Sequence, residues 1–264
     1  MKFSLSGRLV ELGGGKLALA NVPFIDLAKK AGYEGVDLRA SQLSPDSPPE
    51  ALAEVKKAVK AARLKVVILG LKASGEQGLA ALPKTLEMAK ELGCKLLRVG
   101  GDVAFLQKAA DMAAAKGIRF GTQMHTGGEF ETVALSVETL AKVGRKNFGL
   151  ITEPANSYMA GDAFTPDNFR KIASSIVASN IQSLVVVPPD QTPTKLKLRS
   201  GKEIGYKRTP LAENKDMKPA EYFAVLRAVG FDGWVNMLEP HPGEQDLLAF
   251  AKDYLVTLKK MALG

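Results

Sequence analysis

Ala31-Gly32-Tyr33-Glu34-Gly35-Val36-Asp37-Leu38 reads as a helix end, a glycine and then a short apolar strand. A glycine just past a helix supplies the left-handed position that stops it. The pattern recurs at Leu92-Gly93-Cys94-Lys95-Leu96-Leu97-Arg98-Val99 and at Lys116-Gly117-Ile118-Arg119-Phe120. It returns at Val143-Gly144 ahead of Phe148 and at Val229-Gly230-Phe231. Apolar stripes at helical spacing lie between these strands, for example Phe24, Leu27, Ala28 and Ala31, or Leu106, Ala109, Ala110 and Ala113. Phe130, Val133, Ala134 and Val137 form another; Phe169, Ile172, Ala173 and Ile176 are read as the sixth helix. Tyr222, Val225, Leu226 and Val229 follow, then Leu247, Phe250, Ala251, Tyr254 and Leu258. Residues 49–62 and 79–92 are less regular helices. The strands are predicted at 2–6, 35–39, 65–70, 96–101, 119–124, 148–153, 181–187 and 234–239. They are short, apolar and unalternating, as in a parallel sheet buried on both faces. Eight strands alternating with eight helices define an α/β chain of the (β/α)8 TIM barrel type. The alternative is an open doubly wound sheet, but no Gly-x-Gly-x-x-Gly opens the first helix. Gly13-Gly14-Gly15 reads as a turn.

The 264 residues are expected to form one barrel domain over 1–264. Hydrophobic residues make up 46% and charged residues 24%, the balance of an ordinary globular chain. No apolar run approaches the ~20 residues of a membrane span, so no membrane partner is expected. Residues 1–12 lack the apolar core of a secretory leader, and Cys94 has no cysteine to pair with. Both fit a cytoplasmic protein. The net charge is +8, and residues 189–218 hold half of it, with eight Lys or Arg against four acids. That long segment is expected to form a basic cover over the barrel mouth favouring an anionic ligand; the plainer reading is a solvated loop.

Function in such a barrel sits at the C-terminal ends of its strands. Those ends carry Asp37 and Arg39, Arg98, Gln123 and His125, Glu153 and Asn156, and Glu239 and His241. Residues two apart on a strand face the same way, which pairs Gln123 with His125 and Glu239 with His241. Glu153 and Glu239 are two carboxylates at one mouth: either they work chemically or they pair with Arg98 or Arg39. His125 is a ligand or a hydrogen-bonded core residue, and His241 sits in a loop between Pro240 and Pro242. Gln123 offers a neutral metal ligand or a substrate hydrogen bond. Arg98 anchors an anion or fills an ion pair. Trp234 starts a strand and reads as packing.

With these pieces in order, the chain resembles the sugar phosphate isomerase/epimerase family of xylose-isomerase-like barrels, related to the endonuclease IV family. The residues that carry the resemblance are Ala31 to Leu38, Gln123-Met124-His125, Glu153-Pro154-Ala155-Asn156, Pro210-Leu211-Ala212-Glu213, and Gly230-Phe231-Asp232-Gly233-Trp234 ahead of Glu239. The resemblance implies a sugar or sugar-phosphate isomerase or epimerase that abstracts a proton beside a carbonyl. It implies four metal ligands: Glu on strand five, Asp on six, His on seven and Glu on eight. Gln123, Glu153 and Glu239 take the first, second and fourth places. The strand-seven motif aligns with Val187-Pro188-Pro189-Asp190, where valine is no ligand, and Asn156 stands where a second histidine is common. Any metal is then Mg²⁺ or Mn²⁺, held weakly or not at all. Gln123 has no titratable proton, which excludes a two-base epimerisation and leaves Glu239 as the single base, with Glu153 beside it. The alternative is a non-catalytic carbohydrate-binding barrel that has lost its metal. Two histidines are too few for a zinc cluster of the endonuclease IV kind, so no nucleic acid is expected. The expected partner is a small carbohydrate, neutral or anionic; a homo-oligomer is compatible with the sequence.

Overall fold

Eight strands close on themselves in the computed structural model, which describes residues 1–264. They are β1 (Lys2–Ser6), β2 (Gly35–Leu38), β3 (Lys65–Gly70), β4 (Leu96–Arg98), β5 (Arg119–Gln123), β6 (Phe148–Thr152), β7 (Ile176–Ile181) and β8 (Trp234–Met237). Every neighbouring pair is parallel, and β1 joins both β2 and β8, so the sheet has no free edge. Closure satisfies each strand's backbone groups on both sides. The helices are α1 (Asn21–Ala31), α2 (Pro49–Ala62), α3 (Gly75–Glu91), α4 (Val103–Ala114), α5 (Val133–Val143), α6 (Pro154–Ala160), α7 (Pro166–Arg170), α8 (Pro219–Ala228) and α9 (Leu247–Leu263). This is the (β/α)8 barrel that the alternation predicts. Gly32 ends α1 at φ 92° and Gly144 ends α5 at φ 57°, the left-handed stops read from the sequence.

Inside the barrel, glycine makes room for larger neighbours. A Cβ on Gly149 would meet the Ser175 carbonyl oxygen at 2.5 Å, and one on Gly35 would meet the ring of Trp234 at 3.2 Å. Trp234 is therefore packing at the N-terminal end of β8, away from the mouth.

One strand departs from its expected place. Apolarity predicts the seventh barrel strand at 181–187, but that strand is Ile176–Ile181. The helix expected through Phe169, Ile172, Ala173 and Ile176 shrinks to α7 and a 3-10 turn at Ala173–Ser175, and Ile176 opens β7. The cause is chemical: β7 carries Ser179 and Asn180, both buried; Asn180 bonds Gln123 inside the barrel, and Ser179 bonds Tyr222 of α8 on the helix side. Apolarity therefore pointed to the next run instead. That run, Leu184–Val187, pairs antiparallel with Glu203–Arg208, which pairs in turn with Lys195–Lys197. The strand-seven comparison that placed Val187 at a ligand position falls with this shift.

The basic segment thus supplies two of the three strands of a small antiparallel sheet. Its tip reaches the turn between β5 and α5: Arg199 N–H donates to both Glu131 oxygens (3.2 and 2.9 Å), and Arg199 Nη1 donates to Glu129 (2.8 Å). Gly127 lies so close to it that a Cβ would fall 2.9 Å from the Lys197 carbonyl oxygen. The sheet leaves the barrel after β7 and ends against the loop after β5, which are strand ends on the same face. No helix is long and apolar enough to cross a membrane.

Candidate functional site

The site begins where β1 ends. Ser6 caps a 3-10 turn, Gly7–Val10, which turns the chain at the mouth and carries Arg8. At the end of β6, Glu153 is the N-cap of α6. Its Oε1 accepts from Ala155 N (3.0 Å), and its Oε2 accepts from Asn156 N (2.9 Å), the Asn156 side-chain amide and Gln182 Nε2 (3.1 Å). Orphan helix N–H groups favour a carboxylate there. Glu153 is nevertheless fully buried, and burial pushes its carboxyl up to about 7, against the bonds from Gln182 and the two backbone N–H groups and the nearby charge of Arg8.

Glu239 follows β8. Its Oε1 accepts from Ser183 N (2.6 Å) and Tyr254 Oη (2.9 Å), and its Oε2 meets Arg208 Nη1 at 3.3 Å. Burial raises its proton affinity while Arg208, Tyr254 and Ser183 lower it, and burial dominates. Gln182 joins the two glutamates. Its amide nitrogen bonds Glu153, and its Oε1 accepts from both Arg8 Nη1 (3.0 Å) and Arg208 Nη1 (2.7 Å). Two guanidiniums thus share one neutral oxygen. Burial and the charge of Arg208 lower the proton affinity of Arg8.

A second network crosses the barrel interior, and strand register explains it. Ser4 pairs with Asn236, and Asn236 with Asn180, placing the three at one level. Asn236 Nδ2 donates to Asn180 Oδ1 and to Asp37 Oδ2 (both 3.0 Å), and Asn180 donates to Gln123 Oε1 (3.1 Å). Asp37 Oδ2 also accepts from Ser6 Oγ (2.7 Å) and Arg98 Nη1 (2.8 Å). Arg98 is thus an ion-pair partner, and the pair lies inside the barrel with Asp37 wholly buried.

The residues singled out from the sequence share one end of the barrel but divide there. Gln123, His125 and Arg98 line a cleft of about 420 Å³ with Arg39 and Glu11. Glu239 and His241 line another of about 690 Å³ with Arg208 and Tyr254. Glu153 and Asn156 line neither. His125 is exposed, with Nδ1 against the Thr126 carbonyl (2.8 Å), and His241 Nδ1 accepts from Gly243 N (3.2 Å). Asn156 Oδ1 accepts from Thr126 Oγ1 (3.2 Å), tying α6 to the loop after β5.

The residues present do not fit the divalent metal that the resemblance implies through Glu153, Glu239 and Gln123. The amide oxygen of Gln123 accepts from Asn180, and both glutamates are ringed by N–H and O–H donors. Two guanidiniums reach the same point between them. No three His, Cys, Asp or Glu side chains gather closely enough to hold an ion. Sequence reading missed Arg8, Gln182, Arg208 and Tyr254. Arg8 follows the first strand, whose end was the cue. Gln182 lies inside the run 181–187 that apolarity assigns to a strand, Arg208 contributes only charge to a basic stretch, and Tyr254 falls on an apolar helix stripe.

A closed parallel barrel with its polar residues at the strands' C-terminal ends defines a (β/α)8 protein of the kind that works at that face. More particularly, the chain belongs to the xylose isomerase-like TIM barrel family, whose sequence profile matches residues 25–254. Among solved structures it is similar to a D-psicose 3-epimerase determined in the presence of D-fructose, at 16% identity, a TM-score of 0.73 and full coverage of both chains (100%). A xylose isomerase domain protein from Alicyclobacillus acidocaldarius gives 19% identity and a TM-score of 0.74, covering 100% of this chain and 98% of that one. A probable 3-DHS dehydratase of petrobactin synthesis from Bacillus anthracis gives 14% and 0.75, covering 97% and 99%. At these identities the likeness is one of fold. No curated protein sequence matches the chain.

Proposed function

We propose that the protein is an isomerase-type enzyme acting on a small carbohydrate by proton transfer beside a carbonyl, with Glu239 as its single base. The observation that carries the reading is Glu239 itself: a buried carboxylate lining a cleft of about 690 Å³, held by Tyr254 and Ser183 and faced by a guanidinium. A base must sit within reach of the carbon acid and hold a proton near working pH. Burial moves Glu239 toward the second property by raising its proton affinity, and the cleft gives it the first. Glu239 takes the proton from the carbon next to the carbonyl. The electron pair moves through the carbon–carbon bond onto the carbonyl oxygen, and the proton of the hydroxyl on the attacked carbon passes to that oxygen. The Glu239 carboxyl returns its own proton to the former carbonyl carbon, so that the new carbonyl stands where the hydroxyl was. Arg208, 3.3 Å from Glu239, supplies a fixed positive charge toward the developing oxyanion. Glu153, saturated by its donors, positions Gln182 and α6. The family and its epimerase neighbour support a carbohydrate ligand.

The saturation of both glutamates also favours a second reading, a non-catalytic carbohydrate-binding barrel. One experiment separates the two. The protein is incubated in D2O with a panel of aldoses, ketoses and their acids, and proton NMR follows the C–H beside the carbonyl. Loss of that signal, abolished in Glu239→Gln, supports the enzyme. Binding without exchange supports the second reading. Exchange that persists in Glu239→Gln removes Glu239 as the base.

A further inference from the structure

Arg8 and Arg208 come from different parts of the chain, the turn after β1 and the small sheet after β7, yet converge on one amide oxygen. Like charges brought together out of bulk water repel, and an anion between them relieves the cost. The carboxylates nearby answer this only in part. Glu153 spends its oxygens on the α6 backbone, Asn156 and Gln182, and Glu239 touches Arg208 at a single nitrogen, 3.3 Å away. A guanidinium has five N–H donors in a planar fork. Arg8 and Arg208 use only Nη1 toward the protein, which leaves Nε and Nη2 of both without a protein acceptor. The other two arginines of the mouth line the neighbouring cleft of about 420 Å³, and each pairs with a carboxylate of its own, Arg98 with Asp37 and Arg39 with Glu11. Arg208 lines the cleft of about 690 Å³, with a third of its side chain exposed (33%), and Arg8 lies half-buried behind it. The ring of Tyr206 lies 5.9 Å from the guanidinium carbon of Arg208, a cation–π contact that steadies it.

We infer that this mouth takes a carboxylate-bearing polyhydroxy compound, a sugar acid, whose carboxylate sits on the free N–H edges of Arg208 and Arg8. The inference rests on the reading of a carbohydrate at this mouth and names its class. A planar carboxylate matches the guanidinium fork. Charge selects it over a phosphate. Two guanidiniums with Glu239 on only one of them leave room for one more negative charge, because Glu153 spends its oxygens on the α6 backbone, Asn156 and Gln182 and bonds neither guanidinium. A dianion would face Glu239 across Arg208 with repulsion left over.

The test is an NMR titration at fixed ionic strength, with D-gluconate and D-glucuronate as acids, D-glucose as the neutral match and D-glucose 6-phosphate as the phosphate. At least one acid binds tenfold or more tighter than glucose and than the phosphate. Arg208→Gln weakens it about 10- to 100-fold, the range for a hydrogen bond to a charged group. Arg8→Lys weakens it less, and Lys57→Gln, an exposed charge on α2, leaves it unchanged. Equal binding of glucose, tighter binding of the phosphate, no acid binding at 50 mM, or a preference kept in both Arg208→Gln and Arg8→Lys each overturns the inference. Circular dichroism confirms that each variant is folded, and Arg8→Lys decides alone if Arg208→Gln is not. Acid binding without proton exchange leaves this inference standing and removes the enzyme reading; exchange on neutral sugars with no preference for acids does the reverse.

Discussion

Glu153→Gln isolates the buried carboxyl at the centre of the site. In the folded state this carboxyl is pushed up to about 7 from an ordinary 4.5. Between those values the native chain holds a proton that the unfolded chain has released. The unfolding free energy therefore falls as pH rises through the window, because stability drops with pH wherever the native state binds more protons. Each unit is worth about 1.4 kcal/mol, so two to three units give about 3 kcal/mol lost between pH 4.5 and 8. Glutamine cannot ionise. It keeps an oxygen for the α6 backbone N–H groups that Glu153 now caps. Stability of Glu153→Gln relative to wild type should therefore rise by about 3 kcal/mol from pH 4.5 to 8. Urea unfolding of both proteins at several pH values and constant ionic strength gives that difference, with other groups largely cancelling. Parallel curves would refute the reasoning: Glu153 would then be ionised throughout, paired with Arg8. A difference of the opposite sign would mean that the donors around the carboxylate outweigh its burial.

Arg98→Met leaves Asp37 buried without its cation and should cost about 3–5 kcal/mol in urea unfolding, with Arg98→Lys recovering part. Tyr254→Phe removes the 2.9 Å bond to Glu239 and should cost about 1–2 kcal/mol. It should also move the acidic limb of any proton-exchange profile, where Glu239 loses its proton, to higher pH, because that bond favours the ionised carboxylate. Gly149→Ala drives a Cβ to 2.5 Å from the Ser175 carbonyl oxygen, a backbone atom that cannot step aside, and should lower stability by about 1–3 kcal/mol.

The barrel was legible because its signals are local. A helix stripe, a glycine and an apolar strand repeat along the chain, and seven of the eight strands fall where that pattern puts them. The seventh did not, because Asn180 serves a polar network inside the barrel and Ser179 bonds Tyr222 of α8 outside it, and two polar residues make the strand look like a loop. The same error hid Gln182, on which the two arginines converge. Glu153 and Glu239 were legible as carboxylates at strand ends. Their surroundings were not, because Arg8, Arg208 and Tyr254 reach them from positions far apart in the chain. The charge of residues 189–218 was visible, but its fold into a sheet reaching the β5–α5 turn follows from the pairings to Leu184–Val187 and Glu131.

The account turns on guanidiniums standing where the family resemblance implies a cation. The direct measurement is equilibrium dialysis of the protein against millimolar Mn²⁺, and separately Zn²⁺, with bound metal determined in wild type and Glu239→Gln. The account predicts no stoichiometric metal in either protein, and carbohydrate binding unchanged by a chelator. One equivalent of metal in the wild type that disappears in Glu239→Gln would contradict it.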